Sequence, residues 1–168
     1  MKLNIIVAVD EMGGFGKDGK IPWDLPEDMK HFKETTEESI CVMGRNTYED
    51  MVYMRYGDDI PTDSFEVLPN RTSYVISNSE GTINGAEKIP NLRVILDKYR
   101  KFHKNVFILG GQRLFVEALS HAPNIYMTII KGKDFNCDTF FPIESLKGYK
   151  IAKGKETDTC YFLEYRPI

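Results

Sequence analysis

Residues 3–9 (L-N-I-I-V-A-V) form a nearly continuous apolar run closed by Asp10 and Glu11, the pattern of a short strand covered on both faces. Similar short runs recur at 40–43, 74–77, 106–109 and 125–130. Between them the apolar spacing changes, which predicts helices over 26–35, 47–54, 91–101 and 112–119. Strands alternating with helices argue for a largely parallel sheet with helices on both faces. Near its end the chain changes character. Residues 149–153 and 159–165 alternate polar and apolar positions around the turn-rich G-K-E-T-D of 154–158, which predicts an antiparallel hairpin at a sheet edge. The stretch 52–68, rich in Asp, Tyr and Gly with Pro61, fits neither pattern and is expected to be a surface excursion outside any chemistry.

The first predicted helix carries the most specific chemistry. It is entered through I-P-W-D-L-P-E-D (21–28), which holds the only Trp, Trp23, between two prolines, with Pro26 suited to the first helical position. Laid out as a helix, Leu25, Met29, Phe32 and Thr36 fall on one stripe, and Asp28 sits at its edge. An acid in a first turn ordinarily does no more than complement the helix dipole. This one can lean into an apolar wall.

Composition narrows the classes. The 168 residues suit one domain spanning 1–168, large enough to bury a core without disulfide staples. A net charge of −3 and the lack of a basic arm give no electrostatic reason to bind nucleic acid. The N-terminal apolar run is too short for a signal peptide, and no stretch approaches a membrane span. Three widely spaced cysteines, Cys41, Cys137 and Cys160, contain no C-x-x-C pair and read as thiols of a reducing cytosol. A cytoplasmic protein with no membrane partner is expected.

Two strand-to-helix junctions look like anion sites. Gly44-Arg45-Asn46-Thr47 leaves the second strand at a glycine and enters a helix with Asn46 or Thr47 as its N-cap. Gly110-Gly111-Gln112-Arg113 repeats the plan before Leu114 and Phe115. Each helix start offers free N–H groups and a partial positive charge, and two such sites suit a dinucleotide. The run from Gly14 to Gly19 also satisfies G-x-G-x-x-G. A dinucleotide-binding fingerprint needs its third glycine at the opening of a helix, whereas here Pro22 follows closely and the helix begins only near Pro26, so that reading is set aside.

Pro22-Trp23-x-Leu25-Pro26-x-Asp28, G-R-x-T at 44–47, Leu68-Pro69-x-Arg71, Gly110-Gly111 and Asp138-Thr139-x-Phe141-Pro142, in this order, resemble dihydrofolate reductase from the first strand to Tyr165. The resemblance implies an α/β fold in three layers: an eight-stranded, mostly parallel sheet with an antiparallel C-terminal edge hairpin and helices on both faces. It implies NADPH-dependent reduction of 7,8-dihydrofolate to tetrahydrofolate, with hydride to C6 and a proton to N5, in support of one-carbon and thymidylate metabolism. Asp28, Trp23 and Thr128 are then the catalytic group. Ile6, Met29, Phe32, Met51, Leu68, Arg71 and Leu109 join Asp28 and Thr128 around dihydrofolate or folate analogues, with Arg71 on the glutamate tail. NADPH is implied to lie against Val7, Ala8, Phe15, Gly19, Ile21, Gly44, Arg45, Asn46, Thr47, Ser77, Asn78, Leu109, Gly110, Gly111, Gln112, Arg113, Leu114 and Phe115, with a cis bond between Gly110 and Gly111. The loop after the first strand is implied to close over the site, braced by Asp138. The extra phosphate of NADPH falls to Arg45 with Ser77 and Asn78, because Asn78-Ser79-Glu80 lacks the basic residue many members carry there. No metal is implied, and a monomer is expected. Riboflavin-pathway reductases share the architecture but not the Trp23 to Asp28 octet, and a non-catalytic protein on this fold has no use for Asp28, Arg71 and Gly110-Gly111 together.

Overall fold

The structure is a computed structural model that describes residues 1–18, 21–132 and 134–168. In chain order the elements are β1 (Lys2–Asp10), β2 (Gly14–Gly16), α1 (Pro26–Thr36), β3 (Ile40–Gly44), α2 (Arg45–Tyr56), β4 (Thr72–Ile76), β5 (Glu87–Ile89), α3 (Leu92–Tyr99), β6 (Asn105–Gly110), α4 (Gln112–Leu119), β7 (Asn124–Ile130), β8 (Thr139–Phe140), a short 3-10 turn (Ile143–Gly148), β9 (Tyr149–Glu156) and β10 (Cys160–Pro167). Eight strands form one sheet in the order β5-β4-β3-β6-β1-β7-β10-β9. The pairs from β5 to β7 are all parallel, and the β9–β10 hairpin adds to β7 antiparallel. The expected mixed sheet is therefore observed.

The near-continuous apolar strands follow from burial of both faces. Ile5, Val7 and Val9 pack with Leu92, Ile95, Leu114 and Phe115 of α3 and α4, whereas Ile6, one position out of phase, packs with Tyr48 and Val52 of α2 and with Phe32 of α1. Cys41 and Met43 belong to the α1–α2 side and Ile40 and Val42 to the α3–α4 side. Full burial of a side chain such as Ile5 or Phe107 stabilises the fold by roughly 1.5–3 kcal/mol. Helix α3 is capped by Asn91, whose side chain accepts from Val94 N at 3.3 Å.

Two expectations are corrected. Asn46 and Thr47 are not the N-cap of α2: the helix begins at Arg45 directly after Gly44, whose extended backbone is the cap and supplies no side-chain bond. The strand runs into the helix with no intervening turn, so both residues lie inside the first turn. The excursion at 52–68 is also not wholly superficial. Helix α2 continues to Tyr56, Tyr56 and Phe65 stack edge to face at 5.1 Å, and Val67 is buried in the core. Arg55 donates to the Glu66 carbonyl, and Asn84 ties the stretch through Asp63 O while accepting from the Tyr48 hydroxyl at 2.6 Å. The free surface part shrinks to about residues 58–62. Shortening within 58–62 is expected to move the melting temperature by only about 2 °C, as for a surface change of about 0.5 kcal/mol, whereas a deletion of 53–65 should unfold the α1–α2 side. Thermal melts of both deletions check this, and a large drop for the short one would contradict it.

Three short strands carry no sequence signal: β5 has only the residues E-K-I, and β2 and β8 form a separate two-stranded ribbon. Among the described residues, no helix is long and apolar enough to cross a membrane.

Candidate active site

A cavity of about 710 Å³ opens beyond the carboxyl ends of the parallel strands, the usual place for a ligand in such a sheet. Its walls come from residues far apart in sequence. Ile6, Val7 and Ala8 of β1, Leu109 of β6 and Thr128 of β7 supply strand positions. The entry to α1 contributes Ile21, Trp23 and Asp28, followed by Met29 and Phe32.

Asp28 reaches this wall because Pro26 starts the helix two residues earlier and Leu25 enters it in extended backbone. Partial burial pushes its carboxyl above the usual carboxylate range. The Trp23 side chain and the Thr128 hydroxyl stand close enough to draw it partly back. Among the described residues, the buried indole Nε1 of Trp23 has no partner within hydrogen-bond distance. Thr128 is placed by the sheet: it pairs with Ala8 on one side and Phe162 on the other, and is itself buried. Trp23 is held by edge-to-face contact with Phe135 at 5.2 Å.

The two glycine junctions meet across the sheet. A Cβ on Gly44 would lie 3.7 Å from Gly110 O and Gly111 N, and one on Gly110 would lie 3.2 Å from Thr47 Oγ1 and 3.3 Å from the Phe115 ring. Gly110 has φ +126°, a conformation that glycine alone adopts readily, and the Gly110–Gly111 peptide is cis as expected. Among the described residues, no side chain caps α2 or α4, which leaves the first N–H groups of both helices for an anion. Gly44, Arg45, Asn46, Thr47, Gly111, Gln112, Arg113, Leu114 and Phe115 all line the cavity, as do Ser77 and Asn78 beyond β4. Arg45 donates to Glu49 at 3.2 Å and to Ser79 Oγ at 2.9 Å, and Ser79 in turn bonds Ser77 Oγ at 2.8 Å. Phe115 packs edge to face on Phe15 at 5.4 Å, which brings the loop after β1 against the second junction.

That loop is braced. Asp138 N donates to Gly16 O, and Asp18 N donates to Asp138 Oδ2, both at 2.9 Å. The bond from Asp18 holds the Asp138 carboxyl below the usual range. Only glycine fits at Gly14, where a Cβ would come within 2.3 Å of the Cys137 Cβ. Gly19, expected to touch the cofactor, lies outside the described residues.

Of the expected site residues, Leu68, Arg71 and Gly110 do not line the cavity itself. Leu68 packs against the same core cluster as Phe32 and Met51, and both of those do line the cavity. Arg71 is fastened to the last turn of α1, donating to Thr36 Oγ1 at 3.2 Å, to the Lys33 carbonyl and to Pro69 O at 2.6 Å. Three of its N–H groups are thereby committed, and guanidinium offers about five. The cavity also takes residues that sequence reasoning missed, among them His31, Asp50, Met54 and Asn91. His31 was within reach of the helical pattern, standing three residues after Asp28 on the same face. It stacks on Phe162 at 4.3 Å, and burial lowers its pKa.

The dihydrofolate reductase family model matches residues 2–165. Dihydrofolate reductase from Staphylococcus aureus (strain Mu50 / ATCC 700699) is 34% identical over 156 residues, covering 93% of this chain and 87% of that protein. The bifunctional dihydrofolate reductase-thymidylate synthase of Paramecium tetraurelia is 28% identical over 164 residues, covering 96% of this chain and 33% of that protein. Among solved structures, dihydrofolate reductase from Enterococcus faecalis complexed with NADP(H) and RAB-propyl superposes with a TM-score of 0.81 at 31% identity, covering 99% of this chain and 96% of the other. With a family match over nearly the whole length, on a fold and a cavity that agree with it, this chain belongs to the dihydrofolate reductase family.

Proposed function

We propose that this cavity reduces 7,8-dihydrofolate to 5,6,7,8-tetrahydrofolate with NADPH, delivering hydride to C6 and a proton to N5. The observation that carries the reading is one cavity holding a partly buried carboxylate, Asp28, together with two uncapped helix starts. When bound, NADPH supplies the hydride. The protein's residues supply position, dryness and the proton's route.

The first turns of α2 and α4 suit the pyrophosphate, and Gly110 lets the two junctions close on each other, since a Cβ there would press on Thr47 Oγ1 at 3.2 Å and on the Phe115 ring at 3.3 Å. Arg45, with Ser77 and Asn78, would hold the extra phosphate, and the Phe115 face and the Val7 and Ala8 backbone would bound the nicotinamide. Leu114 and Ile21 would close over it. On the other side, Asp28 would grip the amidine edge of the pterin by paired hydrogen bonds. A carboxyl with a raised pKa also favours protonation at N5, through the substrate and a water that the buried Trp23 N–H and Thr128 would help to hold. Ile6 and Leu109 would offer carbonyls to the rings. Met29, Phe32, Met51 and Leu68 would wall the aminobenzoyl part, and the uncommitted donors of Arg71 would take the glutamate carboxylate. The same reading makes the protein a cytoplasmic monomer with folate-type ligands and no nucleic-acid partner.

The test is NADPH oxidation by the purified chain with dihydrofolate as the only added substrate. Turnover that depends on both is expected. A folded chain that binds NADPH yet leaves it unoxidised in the presence of dihydrofolate would overturn the proposal.

A further inference from the structure

A second cation reaches the loop that Arg45 contacts, from a strand that sequence patterning does not reveal. In the parallel β4–β5 pair, Tyr74 stands beside Glu87 and Val75 beside Lys88. Tyr74 packs on the α3–α4 side of the sheet and Val75 on the α1–α2 side. Glu87 therefore turns toward α3, where its field reaches Lys98, and Lys88 turns to the face of α2, whose first residue is Arg45. The Lys88 ammonium donates to the carbonyls of Ser79 and, at 2.9 Å, of Gly81. The Ser79 hydroxyl is the group that Arg45 holds at 2.9 Å and that bonds Ser77 at 2.8 Å. Two cations and two hydroxyls thus converge on residues 77–81.

Their charges are not equally available. Arg45 shares its guanidinium with Glu49 at 3.2 Å. Among the described residues, the contacts of Lys88 are backbone carbonyls, which orient the ammonium without neutralising it. Two carbonyls also leave one of its three N–H donors uncommitted. A phosphate monoester carries a charge of about −1.5 to −2 near neutral pH, more than a half-compensated arginine balances.

We propose that Lys88 is a specificity-determining residue for the phosphorylated dinucleotide: it fixes the 77–81 loop through Ser79 and Gly81 and adds the second positive charge that the extra phosphate requires. The inference rests on the assignment of that phosphate to Arg45, Ser77 and Asn78. It also supplies the basic residue that Asn78-Ser79-Glu80 lacks, from the edge strand instead of from the loop.

The test is equilibrium binding of NADPH and of NADH, by titration of the full chain as wild type, Lys88→Met, Lys88→Arg and Arg45→Leu, at low and at raised salt. Lys88→Met is expected to weaken NADPH about 3–10-fold, the effect of one charge several ångströms from a doubly charged group, while NADH changes far less. Lys88→Arg should keep most of the preference, and salt should narrow the difference between wild type and Lys88→Met. Equal weakening of both cofactors in Lys88→Met would reduce the residue to a loop support and overturn the proposal. So would an unchanged NADPH affinity in Lys88→Met when Arg45→Leu loses the preference. A wild type that binds both cofactors alike would instead overturn the phosphate assignment itself, and this inference with it.

Discussion

Asp28→Asn is expected to lower dihydrofolate turnover about 10²–10⁴-fold, the span of general acid–base assistance, with NADPH affinity nearly unchanged. The substitution keeps the size of the side chain and removes its charge. Acid should partly rescue the variant relative to wild type, because substrate protonated in solution then replaces the missing assistance. Stability should move the other way. Burial raises the folded-state pKa of Asp28, so the folded chain keeps this proton to a higher pH than the unfolded chain does. As pH rises from the unfolded pKa through the raised folded value, stability is lost, and above that window the ionised carboxylate remains a cost. Asparagine escapes the cost, so the variant should melt higher than wild type at neutral pH, with the gap closing in acid. Steady-state rates and thermal melts across pH check both halves. Near-normal turnover at neutral pH would make Asp28 a dipole-complementing acid and end its catalytic assignment.

Arg45→Leu should weaken NADPH by about 1.5–3 kcal/mol, the value of hydrogen bonds to a charged group, with NADH losing far less. The variant also releases Ser79 from its 2.9 Å bond, which loosens the loop that presents Ser77. Binding isotherms for the two cofactors check this. Equal weakening would mean that Arg45 serves only the pyrophosphate both cofactors share.

The parts of the molecule that were legible in sequence are those whose signal is local. A strand buried on both faces shows as an unbroken apolar run, as at residues 3–9, and the C-terminal hairpin shows as alternation about a turn-rich stretch, although β9 is exposed along almost its whole length and runs through Gly154 to Glu156. A glycine leaving a strand for a helix marks a close approach, and Gly44 and Gly110 do approach each other. Asp28 was legible because two prolines fix where its helix begins. What was hidden depends on pairing at a distance. The three residues of β5 have no period of their own and become a strand only beside β4, so the reach of Lys88 to Ser79 could not be anticipated. The β2–β8 ribbon joins residues more than a hundred positions apart. The cap of α2 was misjudged because Asn46 and Thr47 have good capping side chains, yet the parallel pairing of β3 with β4 runs through Gly44 and leaves no turn for them to cap. The excursion looked polar throughout because Phe65 and Val67 are too few to make a pattern, although both pack against the core.

By the proposed function, a hydride passes from NADPH to C6 of dihydrofolate in the cavity beside Asp28. The most direct measurement is a single turnover with NADPH carrying deuterium at the transferable position of nicotinamide C4, followed by analysis of the folate product. Tetrahydrofolate with one deuterium at C6 is expected from wild type, and the same product far more slowly from Asp28→Asn. Unlabelled tetrahydrofolate, or label at another carbon, would contradict that transfer.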